Sequence, residues 1–368
     1  MPAIDRRLIQ NFEWPLFSLV VGLSLIGVIN LVSAAPETST WLPATAKRQL
    51  YWFLIGVVAL FAAIIPDYRT LRRLAFPVYV LGIGLLVAVL IVGPVINGSQ
   101  RWIVTGPFRT QPAEFMKLAI IILCSRLLAR RGGTTPVGLS ELLAPAVLVA
   151  IPVALVLRQP DLGTAMLIAL LAGTYLLVAR IRLATLAGLG AVGILGASGS
   201  WFYYLHDYQK ERVLTFLNPE RDPLGSAYHA IQSQIAVGSG GFFGKGFLQG
   251  SQSQRGFLPE QQTDFVFSVL AEEWGFVGAA FVMLLYLGII LRALMIARAS
   301  KDQFGANLAI GVSALFFWAA LVNIGMVLGL APVVGVPLPL FSYGGSSLLT
   351  CLIGAGLLMN ISMRRYVF

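Results

Sequence analysis

Charged side chains are scarce. Asp, Glu, Lys and Arg together make up 11% of the 368 residues, less than half the roughly 25% of a soluble globular domain. Such a chain is not a water-soluble enzyme, a disordered scaffold or a nucleic-acid binder. Cysteine and histidine are scarcer still, two of each. Cys124 and Cys351 lie in apolar runs and form no CxxC pair, and His206 and His229 stand apart in a polar stretch. That excludes a disulfide framework and a Cys/His zinc site. Apolar side chains dominate instead: 57% of residues are hydrophobic, in recurring runs of about 20, the length a helix needs to cross a bilayer. The 38 glycines and 19 prolines fit the same setting, since both are frequent in membrane helices.

The runs predict an all-α integral membrane fold. It is a single polytopic domain over 1–368, a bundle of about ten transmembrane helices. The expected spans are 15–34, 50–66, 74–96, 114–129, 142–157, 163–179, 183–205, 265–297, 304–330 and 346–363. A long loop, 206–264, joins helices 7 and 8. Span 4 is short, and span 8 is long enough to tilt or to run beyond the bilayer. The first span is too long for a cleaved signal peptide and shows no small-residue cleavage site. No internal repeat stands out.

An even number of spans puts both termini on one side. On that side fall Arg6, Arg7, Arg69, Arg72, Arg73, Arg126, Arg130, Arg131, Arg180, Arg182, Arg292, Arg298, Lys301, Arg364 and Arg365. Only Asp5, Glu13, Asp67, Glu141 and Asp302 oppose them, so this side holds the whole net charge of +10. Basic residues are retained in the cytoplasm, so both termini are expected there. The +10 is thus an orientation signal, not a nucleic-acid footprint. The outer side has mixed charge, glycine, aromatics and the long loop, and is read as the extracytoplasmic working face.

Several outer groups could carry chemistry. Asp264, in QQTDFVF, stands where span 8 begins. Three roles are open to it: general base, metal ligand, or helix cap in company with Thr263. Glu114 and Lys117, in QPAEFMK, are three apart and share a helix face. They form either a structural ion pair or the charged wall of a cavity. Arg101 and Arg109, in GSQRWIVTGPFRT, are not required by orientation and suit an anion through bidentate bonds. Trp102 between them reads as an interfacial belt residue. Asp161, in RQPDLGT, either caps span 6 or pairs with a cation such as Arg158.

The long loop opens with Lys210, Glu211 and Arg212. Residues 227–237 are expected to form a short amphipathic helix with Tyr228, Ile231 and Ile235 on one face. GSGGFFGKG, 238–246, looks like a P-loop but has Ser239 and Gly246 where that motif needs Gly and Ser/Thr. Nucleotide binding is therefore rejected. The glycines are read as letting backbone approach a ligand, with Lys245 available to a phosphate. Glu272 and Glu273, adjacent in apolar sequence, must face protein or water, and a packing or ion-pair role with residues of neighbouring spans is preferred to a proton relay. Pro332, Pro337, Pro339 and FSYGGSS at 341–347 predict a re-entrant, non-helical segment.

Together, RWIVTGPFRTQPAEFMKLA, QPDLGT, ERVLTFLNPERDPLG, AVGSGGFFGKG, FLPEQQTDFVFSVLAEEWG and PVVGVPLPLFSYGGSS occur in that order over residues 15–365. They resemble the SEDS family (shape, elongation, division and sporulation) of peptidoglycan glycosyltransferases. GSQSQRGFLPE resembles the rod-shape branch rather than the division branch. The resemblance implies that Asp264 is the catalytic aspartate and that Glu114 and Lys117 are functionally required. It implies that Arg101 and Arg109 line the substrate cavity, and Asp161, Lys210, Arg212 and Lys245 are expected to join them in substrate binding. One departure, Lys210-Glu211 where relatives often have Arg or Gln, bears on Lys210 individually.

The implied substrates are lipid II and the growing glycan strand. Asp264 would take the proton of an acceptor 4-hydroxyl, and polyprenyl pyrophosphate would leave with inversion to a β-1,4 linkage. Family precedent allows Mg²⁺ or Mn²⁺, although no dedicated metal cage is visible and the metal ligands are unknown. The implied partner is a class B penicillin-binding protein, with spans 8 and 9 offering a packing surface. The implied setting is the bacterial cytoplasmic membrane, during cell elongation. Two rival readings are a lipid II flippase and a non-catalytic scaffold for the penicillin-binding protein.

Overall fold

The computed structural model describes residues 10–35, 42–96, 98–106, 108–129, 138–179, 183–203, 207–218, 227–258 and 260–366. The described residues are mostly helical, with α1 Trp14–Ser33, α2 Ala44–Ile64 and α3 Tyr68–Val92 leading to a small antiparallel hairpin, β1 Ile103–Thr105 and β2 Phe108–Thr110. Then follow α4 Pro112–Ala129, α5 Leu139–Arg158, α6 Leu162–Val178 and α7 Leu183–Tyr203. Within the long loop lie α8 Asp207–Leu217, α9 Tyr228–Ser239 and the single turn α10 Ser251–Gln254. The chain closes with α11 Val266–Ala299, α12 Gln303–Val327 and α13 Gly345–Met363.

A helix therefore stands at each of the ten expected spans. Among the described residues, seven are long and apolar enough to cross a membrane. Two of the others differ for visible reasons: α4 carries Glu114, Lys117 and Arg126 within its length, and α6 is 17 residues long.

Burial ranks the helices. The apolar window of α13 is 83% buried and that of α12 61%, against 17–28% for α2, α3, α5 and α11. So α12 and α13 form the centre, with α13 lying along α2, α12 along α11 and α4, and α4 along α3. The remaining faces are apolar but open, as lipid contact requires.

α11 is too long to be one span: 34 residues make about 51 Å, against a hydrocarbon core of about 30 Å. It breaks at Gly275, whose φ of 64° and ψ of −162° are non-helical. The glycine-rich segment 240–246 mends the break. The amides of Lys245 and Gly246 donate to the carbonyls of Glu272 and Glu273, and the amides of Phe276 and Val277 donate to Gly241 and Phe242. Backbone freed inside a membrane must be satisfied by protein in this way. A Cβ on Gly240 would lie 2.0 Å from the Ala271 carbonyl oxygen, and one on Gly244 2.1 Å from that of Glu273. These glycines admit the backbone of α11, where the sequence suggested a ligand.

α9 forms as expected but turns a different face inward. Ala227, Ser233 and Ala236 are buried, while Ile235 is 44% exposed. Small residues let α9 sit close on α11, and Ser233 Oγ is 2.8 Å from both Ser268 Oγ and the Val327 carbonyl oxygen. The Tyr228–Ile231–Ile235 stripe was the wrong criterion, because close approach and a hydrogen bond, not apolar bulk, fix this contact.

Candidate active site

Asp264 ends the turn that feeds α11. Its amide and those of Thr263 and Phe265 all donate to the Glu260 carbonyl. The cap position of α11 is Phe265, which makes no side-chain capping bond, and the Thr263 hydroxyl is turned back to Glu260. The capping role open to Thr263 is thus not taken up. The Asp264 carboxylate instead faces the non-helical segment 328–344: its Oδ2 stands 3.3 Å from where a Cβ on Gly335 would be. Gly335 has φ +72°, a conformation that costs other residues, so backbone without a side chain borders the carboxylate.

This segment is buried despite its irregular backbone, with Val336, Leu338, Leu340 and Phe341 at most 2% exposed. Side chains hold its polar groups. Asn323 Nδ2, near the C-terminal end of apolar α12, donates to the Asp264 carbonyl (2.9 Å) and the Val336 carbonyl (2.7 Å). Ser342 Oγ donates to the Thr263 carbonyl and accepts from the Leu338 amide. Gln49, buried at the start of α2, donates to the Ser342 carbonyl and accepts from the Gly344 amide. The expectation of a non-helical segment therefore describes 328–344.

The same end gathers the other candidates. Asp161 caps α6 by accepting from the Thr164 amide and hydroxyl, and accepts from Gln111 Nε2 at 2.6 Å. Its nearest cation is Arg101, at 3.9 Å, whereas Arg158, the cation suggested by sequence, is exposed. The Gln111 amide donates to Ser346 Oγ at the start of α13, and the start of α6 meets the segment at Gly163, beside the Val334 carbonyl. Hairpin, α4, α6, α13 and Asp264 are thereby linked around one polar floor.

Glu114 and Lys117 form an ion pair of 2.8 Å, each side chain 4% exposed. Glu114 Oε2 is buried without a hydrogen-bond partner, so the pair keeps unused accepting capacity. Lys245 is committed elsewhere, bonded to Glu272 at 2.8 Å and to Ser239 and Ser251 at 2.7 Å. Glu272 also accepts from the Gln252 and Ser253 amides, and Glu273 accepts from Ser33 of α1. The ion-pair reading thus describes Glu272, with Lys245 of the loop as its cation, while Glu273 meets the neighbouring α1 through the Ser33 hydroxyl. Arg109 is exposed on β2, opposite Val104. Lys210 lies half-buried on α8, and the Arg212 side chain lies outside the described residues.

Asn323, Gln49, Ser342 and Gly335 are parts of the site that residue chemistry did not single out. An Asn inside an apolar span, of which α12 has two, was the available signal for Asn323. Among the described residues, no three His, Cys, Asp or Glu side chains come together as a metal group.

A family model described as the FtsW/RodA/SpoVE cell cycle protein matches residues 12–367. The peptidoglycan glycosyltransferase MrdB of Escherichia coli (strain K12) is 44% identical over 87% of this chain and 86% of its own length. The stage V sporulation protein E of Bacillus subtilis (strain 168) is 38% identical over 94% and 96%. Among solved structures, one described as showing the structural coordination of polymerization and crosslinking by a peptidoglycan synthase complex superposes with a TM-score of 0.81. It is 34% identical and covers 97% of this chain and 99% of that one. The rod shape determining protein RodA of Thermus thermophilus superposes with a TM-score of 0.72 at 31% identity, covering 97% and 98%. The fold and comparisons define a polytopic membrane enzyme of cell-wall synthesis. The chain belongs to the FtsW/RodA/SpoVE family, the SEDS family of peptidoglycan glycosyltransferases.

Proposed function

We propose that this peptidoglycan glycosyltransferase polymerises lipid II into β-1,4 glycan strands at the extracytoplasmic face of the cytoplasmic membrane, with Asp264 as general base. The carrying observation is the setting of Asp264. It precedes a broken membrane helix, and its carboxylate borders a bare glycine backbone while its own carbonyl is clamped by Asn323. Asp264 lies one residue outside the cap position of α11, which is Phe265.

The Asp264 carboxylate would accept the proton of the acceptor 4-hydroxyl as that oxygen bonds to the donor's anomeric carbon. The bond from that carbon to the pyrophosphate oxygen breaks, and its electron pair leaves with the polyprenyl pyrophosphate. One base and one displacement invert the α-linked donor to a β linkage. A positioned base of this kind contributes about 10² to 10⁴ in rate. Arg101 and Arg109, which keep open sides, would neutralise the leaving anion, and fixed positive charge at such a point is often the largest catalytic term. Lys117 and Lys245 act through their carboxylate partners Glu114 and Glu272. No step is assigned to a divalent cation.

The termini are assigned to the cytoplasm. Supporting this, Glu13, Arg292, Ser362 and Arg364 are tied together with residues 64–66 at the end of the bundle away from Asp264. A crosslinking class B penicillin-binding protein is the proposed partner, and cell elongation the proposed setting. The test is polymerisation of purified lipid II by the reconstituted chain with such a partner inactivated for crosslinking. Lysozyme-sensitive glycan product supports the reading. Lipid II moved between leaflets with no polymer would replace it with the flippase reading.

A further inference from the structure

At the end of the bundle away from Asp264 lies a cavity of about 360 Å³ lined by Arg69, Arg72, Arg73, Arg126, Asp302 and Phe304. Four guanidiniums from two helices, α3 and α4, thus meet the N-terminal cap of a third, α12. Residues 69, 72 and 73 are spaced i, i+3, i+4 and share one face of α3. The positive-inside rule explains why arginines stand on this side, but not why they converge on one cavity.

The single carboxylate is already engaged. Asp302 caps α12 through the Gly305 amide, accepts from the Tyr68 hydroxyl, and sits 3.5 Å from Arg69 Nε. Arg126 is anchored: its guanidinium lies 5.0 Å from the centre of the Phe76 ring, and it donates to the Arg73 carbonyl. Arg72 and Arg73 have no carboxylate partner among the described residues. Along the same face of α3 as these arginines, Val80 and Val87 are 63% and 38% exposed. Positive charge therefore caps an apolar strip open to lipid.

We propose that this cavity binds the phosphate of an anionic glycerophospholipid of the adjoining leaflet, its acyl chains lying along α3. Guanidiniums pair phosphate oxygens bidentately, and basic pockets between helices on the cytoplasmic side are suited to lipid head groups. The apolar strip favours a lipid over a soluble phosphate, which has no chains to bury.

Native mass spectrometry of the purified full-length chain, titrated with phosphatidylglycerol or phosphatidylcholine, tests this. The wild type should hold one phosphatidylglycerol at concentrations where phosphatidylcholine is lost. No preference in the wild type overturns the proposal without recourse to any variant. Arg72→Gln/Arg73→Gln should weaken retention about 30-fold, while Arg298→Gln/Lys301→Gln, equal in charge and outside the cavity, should leave it unchanged. Equal loss in both variants would overturn a site in favour of general surface charge. Inorganic phosphate forms the second arm. If it raises the melting temperature while no lipid is retained, the anion site stands and its lipid occupant is overturned.

Discussion

Breaking the Glu114–Lys117 pair discriminates its two roles. The charges are 2.8 Å apart and almost fully buried, so removing one partner strands the other. Glu114→Gln leaves a buried ammonium, and Lys117→Met leaves a carboxylate whose Oε2 already has no partner. Either should cost about 3–5 kcal/mol. At about 2–3 °C per kcal/mol for a chain of this size, melting should fall by roughly 6 to 15 °C. The double variant Glu114→Gln/Lys117→Met removes both charges and should melt within a few degrees of wild type, because a neutral pair of similar volume restores balance. Intrinsic tryptophan fluorescence in detergent follows melting, and glycan product from lipid II follows activity. A stable double variant that makes no polymer assigns the pair to the substrate cavity, and one that polymerises normally assigns it to packing. Additive losses in the double variant would refute the coupling itself.

Three further outcomes follow from the site. Gly335→Ala places a side chain at φ +72° and 3.3 Å from the Asp264 carboxylate; melting should fall modestly, by about 1–2 kcal/mol, while kcat falls more than tenfold with KM little changed. Asn323→Leu leaves the Asp264 and Val336 carbonyls unpaired, at about 1–3 kcal/mol each, and a variant melting like wild type would contradict the clamp. Lys245→Met strands buried Glu272 and should destabilise by about 3–5 kcal/mol. Adding Glu272→Gln should restore both melting and polymerisation, and failure to restore polymerisation in a stable double variant would return Lys245 to a direct role on the anion.

The helices were legible because membrane helices announce themselves by length and hydropathy, and the non-helical segment because Pro332, Pro337 and Pro339 cannot continue one. Inward faces were not. In lipid the inside and outside of a helix are equally apolar, so periodicity carries little information there, while α9, in the long loop, packs through the small residues Ser233 and Ala236. The break at Gly275 was hidden for a related reason. Glycine is ordinary in membrane helices, and this one breaks only because segment 240–246 arrives to satisfy the freed backbone. Lys245 and Glu272 stand far apart in sequence, so their pairing is a property of that docking. Asp264 and the 114–117 pair were visible as charges where charge is costly. The support of Asp264 by Asn323 and Gly335 depends on which helices are neighbours.

The most direct test of Asp264 as the base sets wild type beside Asp264→Asn in lipid II polymerisation, each checked for melting temperature and partner binding. The amide keeps the size of the side chain and cannot take a proton. The expected result is glycan from wild type and at least a hundredfold less from a well-folded Asn variant, within the range a positioned base supplies. Equal product from the two would remove Asp264 as the base and turn attention to Glu114.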